Sequence, residues 1–201
     1  INKLIVMYIL GISGYAHEAS CSLIKDGEIR IILEEERFNR KKHTWEYPQN
    51  AIEQCLSFEG ITIHDIDKIC FFWKPQREIT GNIGHFLKYF PLSINLLMGS
   101  SGGDELSFLQ RVHLMRNVGQ RIQEHFKLPQ PPVVEFTEHH LCHAASAFYP
   151  SPFNEAAILT MDGVGEWATS SYGKGEGNQI DLLKEIRFPH SLGLLYSAFT
   201  Y

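Results

Sequence analysis

Three consecutive stretches carry the reading of the fold: Val133-Val134-Glu135-Phe136, His139-His140-Leu141-Cys142-His143-Ala144-Ala145-Ser146-Ala147-Phe148, and Ala156-Ala157-Ile158-Leu159-Thr160-Met161-Asp162-Gly163-Val164-Gly165. The first and third are short apolar runs and predict strands, the third ending at Asp162 in a glycine-rich turn; the middle one reads as helix. His139 and His143 stand four residues apart, so a helix projects both imidazoles from one face. His140 lies about 100° further round and is the histidine least suited to join them. Asp162 sits where a strand stops, a usual place for site residues in an α/β sheet. Two histidines and one carboxylate leave coordination positions open, which suits a working metal and not a closed structural one. The plainer alternative is a polar helix face or satisfied buried histidines.

Working outward, Ile5–Ser13 predicts a first strand flanked by Gly11 and Gly14, and Ala19–Ile24 and Ile29–Leu33 predict a hairpin around Lys25-Asp26-Gly27-Glu28. A charged stretch, Glu34 to His43, precedes Pro48 and a helix with Ala51, Ile52, Cys55 and Leu56 on one side and Gly60 as its stop. Lys68–Trp73 restores a strand. Glycines and Pro91 break up 81–103, which reads as an inserted helical segment ahead of one long amphipathic helix bearing Phe108, Val112, Met115, Ile122 and Phe126. Further strands are expected at Thr169–Tyr172 and Ile180–Ile186, and no repeat of fixed period is visible. The order predicts an α/β domain with a mixed sheet and helices on its faces.

With 201 residues, 44% of them apolar and 20% charged, there is material for one domain with a full core. A net charge of -5 argues against broad binding to nucleic acid, so none is expected as a partner. No apolar run approaches the roughly 20 residues that span a bilayer, so no membrane association is expected either. Cys21, Cys55, Cys70 and Cys142 form no CxxC pair, which disfavours a zinc ribbon and fits reduced thiols in a cytoplasmic protein. The chain begins without methionine, and Ser191–Tyr201 opens like a helix and stops uncapped; the N-terminal portion of a larger protein is expected.

Three further segments could carry chemistry. Asp162-Gly163-Val164-Gly165-Glu166 is either a hairpin turn or a carboxylate with amides that Gly163 and Gly165 let a phosphate approach. The loop Gly14 to Ser20 holds backbone amides and His17, which exchanges protons near neutral pH. The charged stretch containing Arg37, Arg40 and Lys41 is by default a solvated face, and otherwise a binding edge for a polar or anionic substrate.

Taken together, Ile9-Leu10-Gly11-Ile12-Ser13-Gly14-Tyr15-Ala16-His17-Glu18-Ala19-Ser20, Glu34-Glu35-Glu36-Arg37-Phe38-Asn39-Arg40-Lys41-Lys42-His43, the run from His139 to Tyr149 and Met161-Asp162-Gly163-Val164-Gly165-Glu166 resemble the N-terminal part of the O-carbamoyltransferases of nodulation-factor and antibiotic tailoring. The resemblance implies an actin-like ATPase (ribonuclease H-like) domain covering 1–201, with 81–128 as a helical insertion. It implies that the rest of that domain, and a C-terminal domain making carbamoyl adenylate from carbamoyl phosphate and ATP, lie outside this chain. It puts His139, His143 and Asp162 around a divalent metal, iron first, with zinc or manganese as alternatives, beside a bound nucleotide, ATP or carbamoyl adenylate. The implied reaction moves a carbamoyl group to a hydroxyl of a small-molecule acceptor of antibiotic, sugar or nodulation-factor type. His17 is then the candidate base for that hydroxyl, Gly14, Gly163 and Gly165 lie by the nucleotide phosphates, and Arg37, Arg40 or Lys41 contact phosphate or substrate.

Two other functions stay open at this level. Glycine-bearing strand turns also serve sugar-kinase-like phosphoryl transfer, although magnesium prefers oxygen ligands to a histidine pair. A non-catalytic metal-nucleotide module would bind both ligands without acceptor-dependent release of AMP.

Overall fold

A computed structural model describes residues 6–16, 18–91, 94 and 106–200. The chain divides into two compact units, one drawn from 1–72 and 92–136, the other from 73–91 and 137–201.

The first unit is a five-stranded mixed sheet in the order β3-β2-β1-β4-β5, formed by β1 (Tyr8–Ser13), β2 (Ser20–Lys25), β3 (Glu28–Glu34), β4 (Lys68–Phe71) and β5 (Val134–Phe136). The first three strands are antiparallel, whereas β1, β4 and β5 run parallel. Asp26 and Gly27 both take positive φ, 51° and 84°, as the two-residue hairpin turn demands. Alternation along β1 buries Leu10 and Ile12. Helix α1 (Glu36–Asn39) is a single turn inside the charged stretch, and α2 (Gln49–Glu59) buries Ala51, Ile52, Cys55 and Leu56 as its periodicity predicts, packing on β2 and β3. Complete burial of Ile52 is worth about 1.5–3 kcal/mol, and its loss to alanine would cost about 2–5 kcal/mol.

The expected long helix is two helices, α4 (Phe108–Arg116) and α5 (Val118–Phe126), meeting at Asn117, whose φ of -100° and ψ of 14° leave the helical range. The Asn117 amide turns back onto the His113 ring, and the break still buries Val112, Met115, Val118 and Ile122. The glycines after residue 80 do not interrupt helix α3 (Pro75–Lys88) of the second unit. Gly81 is needed there because a Cβ would overlap the Trp167 ring that lies against the helix. Of the expected insertion, residues 92–105 other than 94 lie outside the described residues.

The second unit carries an antiparallel three-stranded sheet, β6 (Glu155–Gly165), β7 (Ala168–Glu176) and β8 (Gln179–Arg187) in that order, with α3, α6 (His139–Phe148) and α7 (Leu192–Thr200). Ala144 and Phe148 of α6 pack with Ile158 of β6. The predicted strand end at Asp162 is moved: β6 runs on to Gly165 through an irregular register after Met161, and the reversal falls at Glu166-Trp167. The mixed α/β architecture read from the sequence is present, with the first three strands of each unit's sheet forming an antiparallel meander.

Candidate metal centre

Strand parity builds one half of the site. Ile158, Thr160 and Asp162 share a face of β6, and that face receives α6. Helical spacing builds the other half: His140, Ala144 and Phe148 form one row, and His139 and His143 the adjacent one. Thr160 therefore meets His140, with Oγ1 2.6 Å from its Nδ1, while Asp162 meets the histidine pair. Burial lowers the pKa of His140.

His139 Nε2 lies 2.9 Å from Asp162 Oδ2 and 2.9 Å from His143 Nε2, and His143 Nε2 is 3.8 Å from the same carboxylate oxygen. The three groups together could hold a metal ion. Two ligands bound about 2.1 Å from one ion at a right angle are about 3 Å apart, so the observed spacings fit a shared ion. The His139 side chain is 5% exposed, that of Asp162 21% and that of His143 49%. The cluster is thus anchored at one end and reachable by a substrate at the other. The His139 imidazole at 2.9 Å, and then the nearby His143 imidazole, hold the Asp162 carboxyl well below the usual range, aided by the Gly163 amide donating to its Oδ1 at 2.6 Å.

What surrounds the cluster fixes His139. The Trp73 ring lies 4.8 Å from the imidazole, centroid to centroid, and Gly165 supplies room on another side, since a Cβ there would overlap the His139 ring and come within 3.1 Å of Asp162 Oδ2. Glu166, buried and held at φ 61°, accepts the amides of Lys74 at 2.6 Å and His139 at 3.2 Å through Oε1. One carboxylate so caps the starts of both α3 and α6. Burial pushes its pKa up to about 7, against the opposing pull of those amides and of Arg77. Arg77 also contacts Glu138 at 2.8 Å and Glu185. Neither Glu166 nor Arg77 stood out in the sequence as a support of the site. The signal available was the carboxylate directly after the glycine turn.

The remaining candidates have other surroundings than the sequence suggested. Gly163 spends its amide on Asp162, and Gly165 makes room for the ring. Gly14, in the first unit, is buried beneath the chain at Trp45 to Pro48, where a Cβ would sit 3.0 Å from the Glu46 carbonyl. Arg37 pairs with Glu34 at 3.4 Å and Lys41 with Glu46 at 3.4 Å, while Arg40 is exposed with φ 62°. His17 lies outside the described residues. All four cysteines are free thiols, and among the described residues no helix is long and apolar enough to cross a membrane.

The family described as Carbamoyltransferase N-terminus matches residues 8–201. The chain belongs to that family. An uncharacterized protein of Synechocystis sp. is 44% identical over 197 residues, covering 96% of this chain and 31% of that protein. Nodulation protein NolNO of Sinorhizobium fredii is 31% identical over 183 residues, covering 90% of this chain and 25% of NolNO. This member of the carbamoyltransferase family thus spans a third or less of the length of both relatives. Among solved structures, YeaZ from Pseudomonas aeruginosa aligns with a TM-score of 0.45 at 14% identity, covering 91% of this chain and 67% of that one.

Proposed function

We propose that the protein takes part in O-carbamoyl transfer, moving a carbamoyl group from carbamoyl adenylate, made from carbamoyl phosphate and ATP, to a hydroxyl of a small molecule. The observation that carries this reading is the convergence of His139, His143 and Asp162 within a chain of the carbamoyltransferase family. These three residues would hold a divalent ion, iron for preference, with zinc or manganese also suited to imidazole and carboxylate ligands. Such an ion, when bound, supplies Lewis acidity to a carbonyl or phosphate oxygen.

The chain's own groups prepare that chemistry. Asp162, kept ionised, brings negative charge to the cluster, its Oδ2 2.9 Å from His139 Nε2. Glu166 and Trp73 hold His139 in place, and Arg77 ties Glu166 to Glu138 and Glu185. In the transfer the acceptor oxygen forms a bond to the carbamoyl carbon, the bond from that carbon to the adenylate oxygen breaks, AMP leaves, and the hydroxyl proton passes to a base. His17 is the base we propose, with Arg37, Arg40 and Lys41 drawing in anionic substrate. The sheet order β3-β2-β1-β4-β5 supports placing this chemistry on an actin-like ATPase domain. The test is acceptor-dependent release of AMP by the complete gene product supplied with carbamoyl phosphate, ATP and divalent iron. The reading requires that release to vanish in His139→Ala plus His143→Ala; release that persists in this variant, or ATP use without carbamoyl transfer, contradicts it.

A further inference from the structure

Asp162 lies where β6 leaves its ladder. The strand pairs with β7 as far as Met161 opposite Ser170 and again at Gly165 opposite Ala168, so Asp162, Gly163 and Val164 fall in the register break between. Pairing with β7 therefore does not set the direction of the peptide that joins Asp162 to Gly163. That direction matters. The N–H of this peptide donates to Asp162 Oδ1 at 2.6 Å, while Oδ2 lies 2.9 Å from His139 Nε2. The last torsion of an aspartate is broad, so turning the peptide would carry the N–H off Oδ1 and leave the carboxylate to rotate out of the cluster.

The start of α7 holds that peptide in place. The Ser191 hydroxyl lies 2.7 Å from the Gly163 carbonyl oxygen and 3.2 Å from that of Asp162, and shares its hydrogen between them. The same hydroxyl oxygen accepts the Leu194 N–H at 3.0 Å, the bond of a residue that caps a helix start. Gly193 then approaches the peptide itself. A Cβ there would lie 2.5 Å from the Asp162 carbonyl oxygen, 2.7 Å from its carbon and 2.8 Å from Gly163 N, closer than Cβ atoms come. Ser191 is anchored in its turn, because fully buried Thr169 of β7 donates to the neighbouring His190 carbonyl at 2.5 Å. A continuous set of contacts so runs from β7 through the β8–α7 connection to the peptide that orients Asp162, all within the second unit.

We infer that Ser191 and Gly193 are positioning residues for Asp162. The hydroxyl ties the two carbonyls, and the missing side chain lets α7 lie on the peptide, so the carboxylate is aimed before any ion arrives. The inference deepens the metal reading above and rests on it for the ion, whereas the clamp is measurable without one. Four variants of the complete gene product separate clamp from cap. Ser191→Ala removes both; Ser191→Asp keeps an acceptor for Leu194 N but has no hydrogen for the carbonyls; Ser191→Thr keeps both; Gly193→Ala pushes α7 off the peptide. The probe is Co²⁺ added to chelator-treated protein and followed by its visible absorption. Affinity is expected to fall about tenfold in Ser191→Ala and Ser191→Asp and about 10–100-fold in Gly193→Ala, with altered spectra, and to stay within about threefold in Ser191→Thr. In metal-free protein, amide exchange at 162–165 should rise about tenfold in Ser191→Ala and Ser191→Asp while the β7–β8 ladder keeps its protection. Wild-type affinity in Ser191→Asp would make the serine a helix cap alone and overturn the inference, as would unchanged exchange at 162–165. A wild type that takes up no Co²⁺ would instead overturn the proposed function, and exchange at 162–165 would still decide the clamp.

Discussion

The sheet of each unit begins, in chain order, with a strand that ends among glycines and leads into an antiparallel meander, yet the two ends do different work. After β1, Gly14 lies flat beneath the Glu46 carbonyl and a charged arm follows, whose acids and bases pair with one another on the surface: Arg37 with Glu34, Lys42 with Glu36, Lys41 with Glu46. In β6, Gly165 lets a buried imidazole close on Asp162, and the next residue caps two helices. A glycine at a strand end therefore says that something approaches closely, and only the neighbouring side chains say whether it is backbone or a functional group.

The comparison is broken first at Gly165. Gly165→Ala should displace the His139 ring, lower metal affinity about 10–100-fold and cost about 1–3 kcal/mol of stability, measured by metal titration and thermal melts. Gly163→Ala, whose Cβ would meet only Leu194 Cδ2 at 3.7 Å, should leave affinity within about twofold, within the scatter of a tolerated substitution. Equal effects of the two would dissolve the distinction.

Glu166 sharpens it further. Its pKa is raised in the folded state, so between about pH 4.5 and about 7 the folded protein binds more protons than the unfolded one, and stability falls as pH rises through that window. In chelator-treated protein, Glu166→Gln should flatten this slope, read from melting temperature against pH. An unchanged slope would remove Glu166 as the cause. Smaller still is Gly14→Ala, expected to cost about 1 kcal/mol as the chain at Glu46 gives way, without change in metal content. Smallest is Arg37→Ala or Lys41→Ala, expected to alter stability by less than about 0.5 kcal/mol because both pairs are exposed. If either side chain contacts substrate, KM for carbamoyl transfer rises while the melting temperature stays put.

Period and turn chemistry made much of the fold legible. Asp26-Gly27 announced its hairpin, and the buried row of α2 matched the four residues its spacing named. The histidine pair and the aspartate were readable because helical spacing and strand parity each fix a face before any tertiary contact is known. What sequence could not supply was long-range partnership. The break at Asn117 lies in a stretch whose apolar pattern continues through it, and uninterrupted α3 depends on Trp167 filling the space at Gly81, 86 residues along the chain. The extension of β6 past Asp162 needs β7 beside it, and Glu166 gains its role only when Lys74 and His139 converge on it.

The most direct measurement is the metal content of protein purified anaerobically without a metal-affinity tag, for wild type and for His139→Ala plus His143→Ala. The account predicts about one ion per chain in the wild type and none retained by the variant, with both folded by circular dichroism. A folded wild-type protein that binds no divalent ion, or a variant that keeps its ion, would contradict it.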